Sequence, residues 1–254
     1  MTAEPKKRRL QVFMRRDLWV QDEGLTVLLG ALLLMIFIVN PLGAAGIFRG
    51  YAALVHDLWL ALTLLSGALA IGWRRKAARV VVLSAILLFA LRALGFVGGA
   101  GTLGLVVDAV LTLFLLLTLA LMVIWQIFRE GPITRQRVQG SIVIYLLLGL
   151  IWAEAYLLAA HLDSDAFPVI LGEGPNALSA RLTYFSFVTL TTVGYGDILP
   201  TNLVTRTLAN MEGLVGQLFP AILIARLVSM EIAARETKNT NGQVEVHEEA
   251  PQLH

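Results

Sequence analysis

The chain has 254 residues, 57% of them hydrophobic and only 15% charged, against roughly 25% charged in an average soluble domain. A net charge of +2 is too small for a nucleic-acid-binding surface, and the absence of cysteine excludes disulfides and thiolate metal sites. The charges gather between long apolar stretches and the mean hydropathy is positive, which is the pattern of a polytopic membrane protein.

Lys6, Lys7, Arg8 and Arg9 precede the first apolar run, as in a signal peptide. No small-residue cleavage site follows, and the run is long enough to remain as a span. Residues 1–24 read as a basic cytoplasmic segment. Its stretch from Arg8 to Val20 mixes basic residues with Leu10, Phe13, Met14, Leu18 and Trp19. Such a segment either lies in the headgroup region or stays a solvated tail.

Crossing the hydrocarbon core takes about 20 helical residues. The predicted spans are Leu25 to Phe48, kinked near Asn40, Pro41 and Gly43, then Ala53 to Trp73, Arg79 to Val97 and Leu103 to Phe128. The fifth is Val138 to Ala160 and the sixth Leu203 to Ser229. Between these last two, Asn176 to Leu190 is too short to cross and ends at a glycine-rich turn, so it reads as a re-entrant helix. Irregular backbone at membrane depth is tolerated only where protein or water surrounds it. The expected fold is therefore an all-α membrane protein of six transmembrane helices with a re-entrant helix and loop. Residues 25–129 form a four-helix domain, 130–230 a second membrane domain, and 231–254 a polar, disordered cytoplasmic tail.

Loop charges set the orientation. Lys6 to Arg16, Arg74 to Arg79, Arg129 to Arg137, and Arg226 with Arg235 and Lys238 fall on one side. The opposite loops carry little positive charge and hold Asp57, Asp163, Asp165 and Glu173. Both termini are thus expected in the cytoplasm of a cell membrane, with the re-entrant piece entering from outside.

That piece ends in Thr191-Thr192-Val193-Gly194-Tyr195-Gly196-Asp197. A dehydrated cation needs its water oxygens replaced by protein oxygens, and backbone carbonyls from four identical loops around an axis supply them. For all the carbonyls to point inward, successive residues must alternate between right- and left-handed backbone. Gly194 and Gly196 accept positive φ without a Cβ penalty. The run resembles the selectivity-filter signature of the potassium channel family. The resemblance implies K+ ligation by the carbonyls of Thr192, Val193, Gly194 and Tyr195 with the Thr192 hydroxyl. It also implies a homotetramer in the lipid bilayer, since one chain supplies one loop. K+ ions are the only bound species expected, with no nucleic acid and no small-molecule substrate. Tyr184 and Phe185 resemble the aromatic pair that buttresses family filters, and Gly196 supports the loop. The C-terminal end of the re-entrant helix places partial negative charge towards a central cavity. Asp197 either adds to a carboxylate ring at the outer mouth or locks the filter by a hydrogen bond. Some family members pair this aspartate with a glutamate on the pore helix; the matching position here is Val188, so that partner is missing.

The last span holds Gly213, Gly216 and Pro220. Gly216 falls at the position resembling the family's inner-helix hinge. Gln217, Pro220, Ala221, Ile224 and Val228 share one helical face, and Ile224 and Val228 are candidates for a constriction that closes by dewetting. Glu212, a carboxylate inside an apolar helix, reads as an anchor to pore-helix hydroxyls such as Thr183 or Ser186, and Glu154 as a similar anchor.

Six spans with the filter between the last two resembles the voltage-gated layout. A voltage sensor needs several arginines on its fourth helix, each contributing about 2.3 kcal/mol per 100 mV. The fourth span has no arginine or lysine, and Asp108 is its only charge. Counted from the Gly98–Gly101 turn, Arg92 and Asp108 sit at similar depths, which predicts a buried ion pair. The reading is passive potassium conduction, not conventionally voltage-gated; the alternative is a voltage-gated channel with an unconventional sensor. Potassium-uptake transporters usually carry four degenerate filter repeats in one chain, and this chain has one. His56, His161, His247 and His254 show neither a nucleophile context nor metal-ligand spacing, so no enzyme is expected.

Overall fold

The computed structural model describes residues 24–47, 51–71, 76–93, 101–127, 135–168 and 175–248, and among these the apolar runs punctuated by glycine, proline and basic clusters fold into seven helices. The basic N-terminal segment, the Gly98–Ala100 turn and Glu173 lie outside the described residues. Helix α1 is Gly24–Ala44, α2 Ala52–Ile71, α3 Lys76–Ala93, α4 Thr102–Ile127, α5 Arg135–Leu162, α6 Pro175–Leu190 and α7 Leu203–Glu248. No strand occurs among the described residues.

Local chemistry explains the ends and breaks. Pro41 has no N–H and its ring crowds the preceding turn. The turn before it widens into a π-helix over Met35–Val39, so the helix continues instead of kinking sharply. The helix then ends on Gly46 at φ +77°, with Ile47 N–H bonding Leu42 O at 3.1 Å and Gly46 N–H bonding Gly43 O at 3.0 Å. This is a Schellman cap, in which glycine takes the left-handed position at no steric cost. Helix α7 starts on an Asn202 cap, whose Oδ1 accepts the Thr205 N–H at 2.8 Å.

Helix α7 corrects one expectation. It does not stop near Ser229 before a disordered tail but runs on to Glu248. No proline follows Pro220 until Pro251, and Ala233, Ala234, Arg235 and Glu236 are strong helix formers. A polar composition is no obstacle to a helix that needs no apolar face.

Four of the helices are long and apolar enough to cross a membrane: Gly24–Ala44, Thr102–Trp125, Arg137–Leu162 and Leu203–Arg226. Helices α2 and α3 have 20 and 18 residues, with shorter apolar stretches at Asp57–Gly67 and Val82–Arg92. Two cores hold the chain together. The first joins Leu28 and Leu32 of α1 with Leu64, Leu88, Leu119 and Leu147, so that α5 shares a core with all four helices before it. The second gathers Tyr156, Phe167, Leu182, Phe185 and Ile198 around α6. Small residues set the closest approaches: Gly67 faces Leu119, Gly140 faces Ile127, and Gly149 takes the ring of Phe187. Many large apolar side chains nevertheless point outward, among them Phe37, Leu121, Trp125, Leu214 and Ile222. Such a surface suits lipid or a neighbouring subunit, not water.

Candidate functional site: a capped half-helix and its loop

Helix α6 stands between α5 and α7 and ends at Leu190. Val193 N–H bonds Val188 O at 3.0 Å and Thr192 N–H bonds Thr189 O at 2.9 Å. Thr192 is left-handed at φ +59°. This is again a Schellman cap, but threonine occupies the position that glycine takes in α1. A left-handed non-glycine residue costs about 1–2 kcal/mol. From there the backbone alternates: Gly194 stands at φ +58° and Gly196 at +76°, and among the described residues no other non-glycine residue has positive φ. Positive φ at every second residue turns successive carbonyls the same way. The helix cap itself therefore supplies the first step of the alternation.

Val188 takes part through its backbone. Its carbonyl accepts both the Val193 N–H and, at 3.3 Å, the Gly194 N–H. Asp197 finds its partner on α6 one turn further back, where the Tyr184 hydroxyl donates to Asp197 Oδ2 at 2.9 Å. The Tyr184 ring also lies parallel to that of Tyr195, with centroids 6.5 Å apart. Phe185 faces the other way, into the second core, edge-on to Tyr156 at 5.0 Å and Phe167 at 5.4 Å. The two adjacent aromatics thus divide the work: Tyr184 holds the loop, and Phe185 holds the helix.

Beyond Asp197 the chain is tied down. Ile198 is buried, Thr201 N–H bonds Ala166 O at 3.1 Å, and the Thr201 hydroxyl donates to Asp165 O. Asn202 Nδ2 donates to Asp163 Oδ2 at 2.6 Å. Asp163 also accepts the Asp165 N–H at 2.9 Å. These donors hold the exposed Asp163 carboxyl below the usual carboxylate range, the Asp165 amide having the larger effect.

On the inner side, Gly216 has a steric role. A Cβ there would overlap the carbonyl oxygen of Leu190, the last residue of α6, whereas Gly213 has open space. Tyr145 of α5 donates to that same carbonyl at 3.3 Å. Glu212, fully buried, reaches Ser186 Oγ at 2.5 Å and accepts the Tyr156 hydroxyl at 2.6 Å. Of the two anchors expected, Ser186 is the partner; Thr183 turns back to Ser179 O at 2.9 Å. Pro220 is half-buried, and Ile224 and Val228 are exposed on a face of α7 that none of the described residues covers. A cavity of about 690 Å³ separates Phe37, Asn40 and Pro41 of α1 from Tyr184, Val193 and Asp197.

In the four-helix domain Arg92 is bidentate to Asp108, with Nε–Oδ1 at 2.6 Å and Nη2–Oδ2 at 2.8 Å. Asp57 also pairs with Arg92, and Thr112 Oγ1 lies 3.4 Å from Nη2. Asp57, expected among the loop charges, belongs to α2 and joins this cluster.

The model of an ion channel family matches residues 144–232, which take in most of α5, all of α6 and the loop, and α7 as far as Ile232. The match points to a channel and not to an enzyme. Over 98 residues the chain is 34% identical to two-pore potassium channel 3 of Arabidopsis thaliana, which covers 38% of this chain and 20% of that relative. The chain therefore spans about a fifth of the length of the curated relative it matches. No solved structure matches it. Within the matched stretch, α6 is the helix that ends at the loop. Among the described residues no group of histidine, aspartate and glutamate is arranged to hold a metal ion.

Proposed function

We propose that the chain is one subunit of a homotetrameric, potassium-selective channel that crosses the cell membrane six times with both termini in the cytoplasm. The observation that carries this reading is the alternation of positive φ at Thr192, Gly194 and Gly196 directly after a capped half-helix. Alternation aligns carbonyls, and a column of aligned carbonyls replaces a hydration shell when four copies meet on an axis. The carbonyls of Thr192, Val193, Gly194 and Tyr195 with the Thr192 hydroxyl are the proposed K+ ligands. Val193 and Tyr195, exposed by 52% and 70% in the single chain, form the cuff around them. Similarity to a potassium channel over 98 residues supports the choice of ion.

The inner helix α7 lines the path, with Ile224 and Val228 as the constriction. The basic loops on one side of the membrane support the orientation. Gating does not rest on a mobile arginine helix, because α4 has no arginine or lysine and Arg92 is held between two carboxylates. The deciding experiment is reconstitution in liposomes under potassium or sodium gradients. Potassium flux blocked by barium, with little sodium flux, is the expected result. Equal sodium and potassium flux withdraws the selective-channel reading.

A further inference from the structure

The three helices of the matched stretch meet at one fully buried carboxyl, that of Glu212. Counting the hydrogens around it exposes a shortage. Tyr156 Oη has one hydrogen, and it points to Glu212 Oε2 at 2.6 Å. Ser186 Oγ also has one hydrogen, yet it stands 2.5 Å from Glu212 Oε1 and 2.7 Å from the Gly149 carbonyl oxygen. A carboxylate and a carbonyl are both pure acceptors. One serine hydrogen cannot serve two of them well, yet both contacts lie within hydrogen-bond distance. A second hydrogen on Glu212 completes the set. Tyr156 then donates to Oε2, the acid donates from Oε1 to Ser186 Oγ, and Ser186 donates to Gly149 O.

Charge leads to the same answer. Among the described residues no lysine, arginine or histidine pairs with Glu212. Helix α6, from Pro175 to Leu190, brings no charge but Arg181, which is exposed. An unpaired buried carboxylate at membrane depth is costly, and a neutral acid with every polar atom bonded is not.

We propose that Glu212 is held as a neutral carboxylic acid and is a positioning residue for the filter, locking α6 to α5 and α7 through a directed chain of three hydrogen bonds. Its role in selectivity rests on the channel reading above; its protonation does not. The filter-bearing helix has no acid of its own, Val188 standing where related filters place one. The supporting carboxyl comes instead from the inner helix, one turn before Gly216 meets the end of α6. Movement of α7 and the placing of the filter are thereby joined at one side chain.

Glu212→Gln is the discriminating variant, because a glutamine amide reproduces the neutral acid: Nε2–H donates to Ser186 and Oε1 accepts from Tyr156. The full-length protein reconstituted at neutral pH is expected to show the infrared C=O band of a protonated carboxyl, which Glu212→Gln removes. The potassium-to-sodium flux ratio and thermal midpoint of Glu212→Gln are expected to stay close to wild type. Glu212→Ala and Ser186→Ala are expected to lower the flux ratio about tenfold, the scale of one lost buried hydrogen bond. Absence of that band overturns the protonation, and Glu212→Gln as damaging as Glu212→Ala overturns the directed chain. A wild-type protein that conducts no potassium fails the channel reading alone, since band and thermal midpoint still decide the state of Glu212.

Discussion

Gly216 and Gly213 lie three residues apart on α7, and only the family resemblance, not residue type, sets Gly216 apart as a hinge. Only Gly216 lies against backbone, the Leu190 carbonyl at the end of α6. An alanine there must push α7 away from α6, and a carbonyl cannot rotate aside as a side chain can. Gly216→Ala is expected to abolish potassium flux and to weaken the oligomer in detergent. Gly213→Ala, with open space, is expected to keep flux and to gain about 0.5–1 kcal/mol from a better helix former. Comparing the two by flux and thermal unfolding separates close packing from simple bending: equal losses would favour a hinge. Thr192 follows a related logic. Its left-handed backbone comes from its place in a helix cap, so no reading of residue types finds it, whereas Gly194 and Gly196 announce themselves. Gly194→Ala at φ +58° is expected to cost about 1–2 kcal/mol of loop order, read, if the proposed filter holds, as a lower potassium-to-sodium flux ratio with the protein still folded.

At the scale of elements, the order of helices was legible because each apolar run ends at a basic cluster, a proline or a glycine. What escaped was contact between distant parts wherever neither partner is a charge inside an apolar helix with a matching group at the same depth. Nothing in the sequence links Asp163 with Asn202 or Tyr156 with Glu212, because hydrogen bonds across 39 and 56 residues leave no periodic trace. The helical end of α7 escaped for another reason: composition separates apolar from polar, not helix from coil. The loop anchors also carry a pH dependence. Asp163 is held below the usual carboxylate range, so its stabilising contribution is present above that range and is lost as pH falls through its folded value. The difference in thermal midpoint between wild type and Asp163→Asn is therefore expected at neutral pH and expected to vanish in acid. A difference that persists at low pH would assign the effect to shape instead of charge.

Across the whole molecule, the first four helices and α5 are one packed unit, since Leu147 of α5 sits in the same core as Leu28, Leu64, Leu88 and Leu119. In sequence these four helices have a voltage-sensor-like layout, so their response to voltage is the property to test. Arg92 is the basic residue at their centre, bonded to carboxylates from α2 and α4 and to the Thr112 hydroxyl. Moving it across the field would gain about 2.3 kcal/mol per 100 mV. Breaking a buried pair by removing one partner costs about 3–5 kcal/mol. At ordinary membrane potentials the field therefore loses to the cluster, and α3 stays tied to α2 and α4. Open probability is expected to change little between −100 and +100 mV in a planar bilayer. Arg92→Gln is expected to lower the thermal midpoint without shifting a voltage midpoint, because two carboxylates lose their counter-charge. A steep conductance–voltage curve that flattens in Arg92→Gln would show instead that this cluster moves, and would make it the sensor.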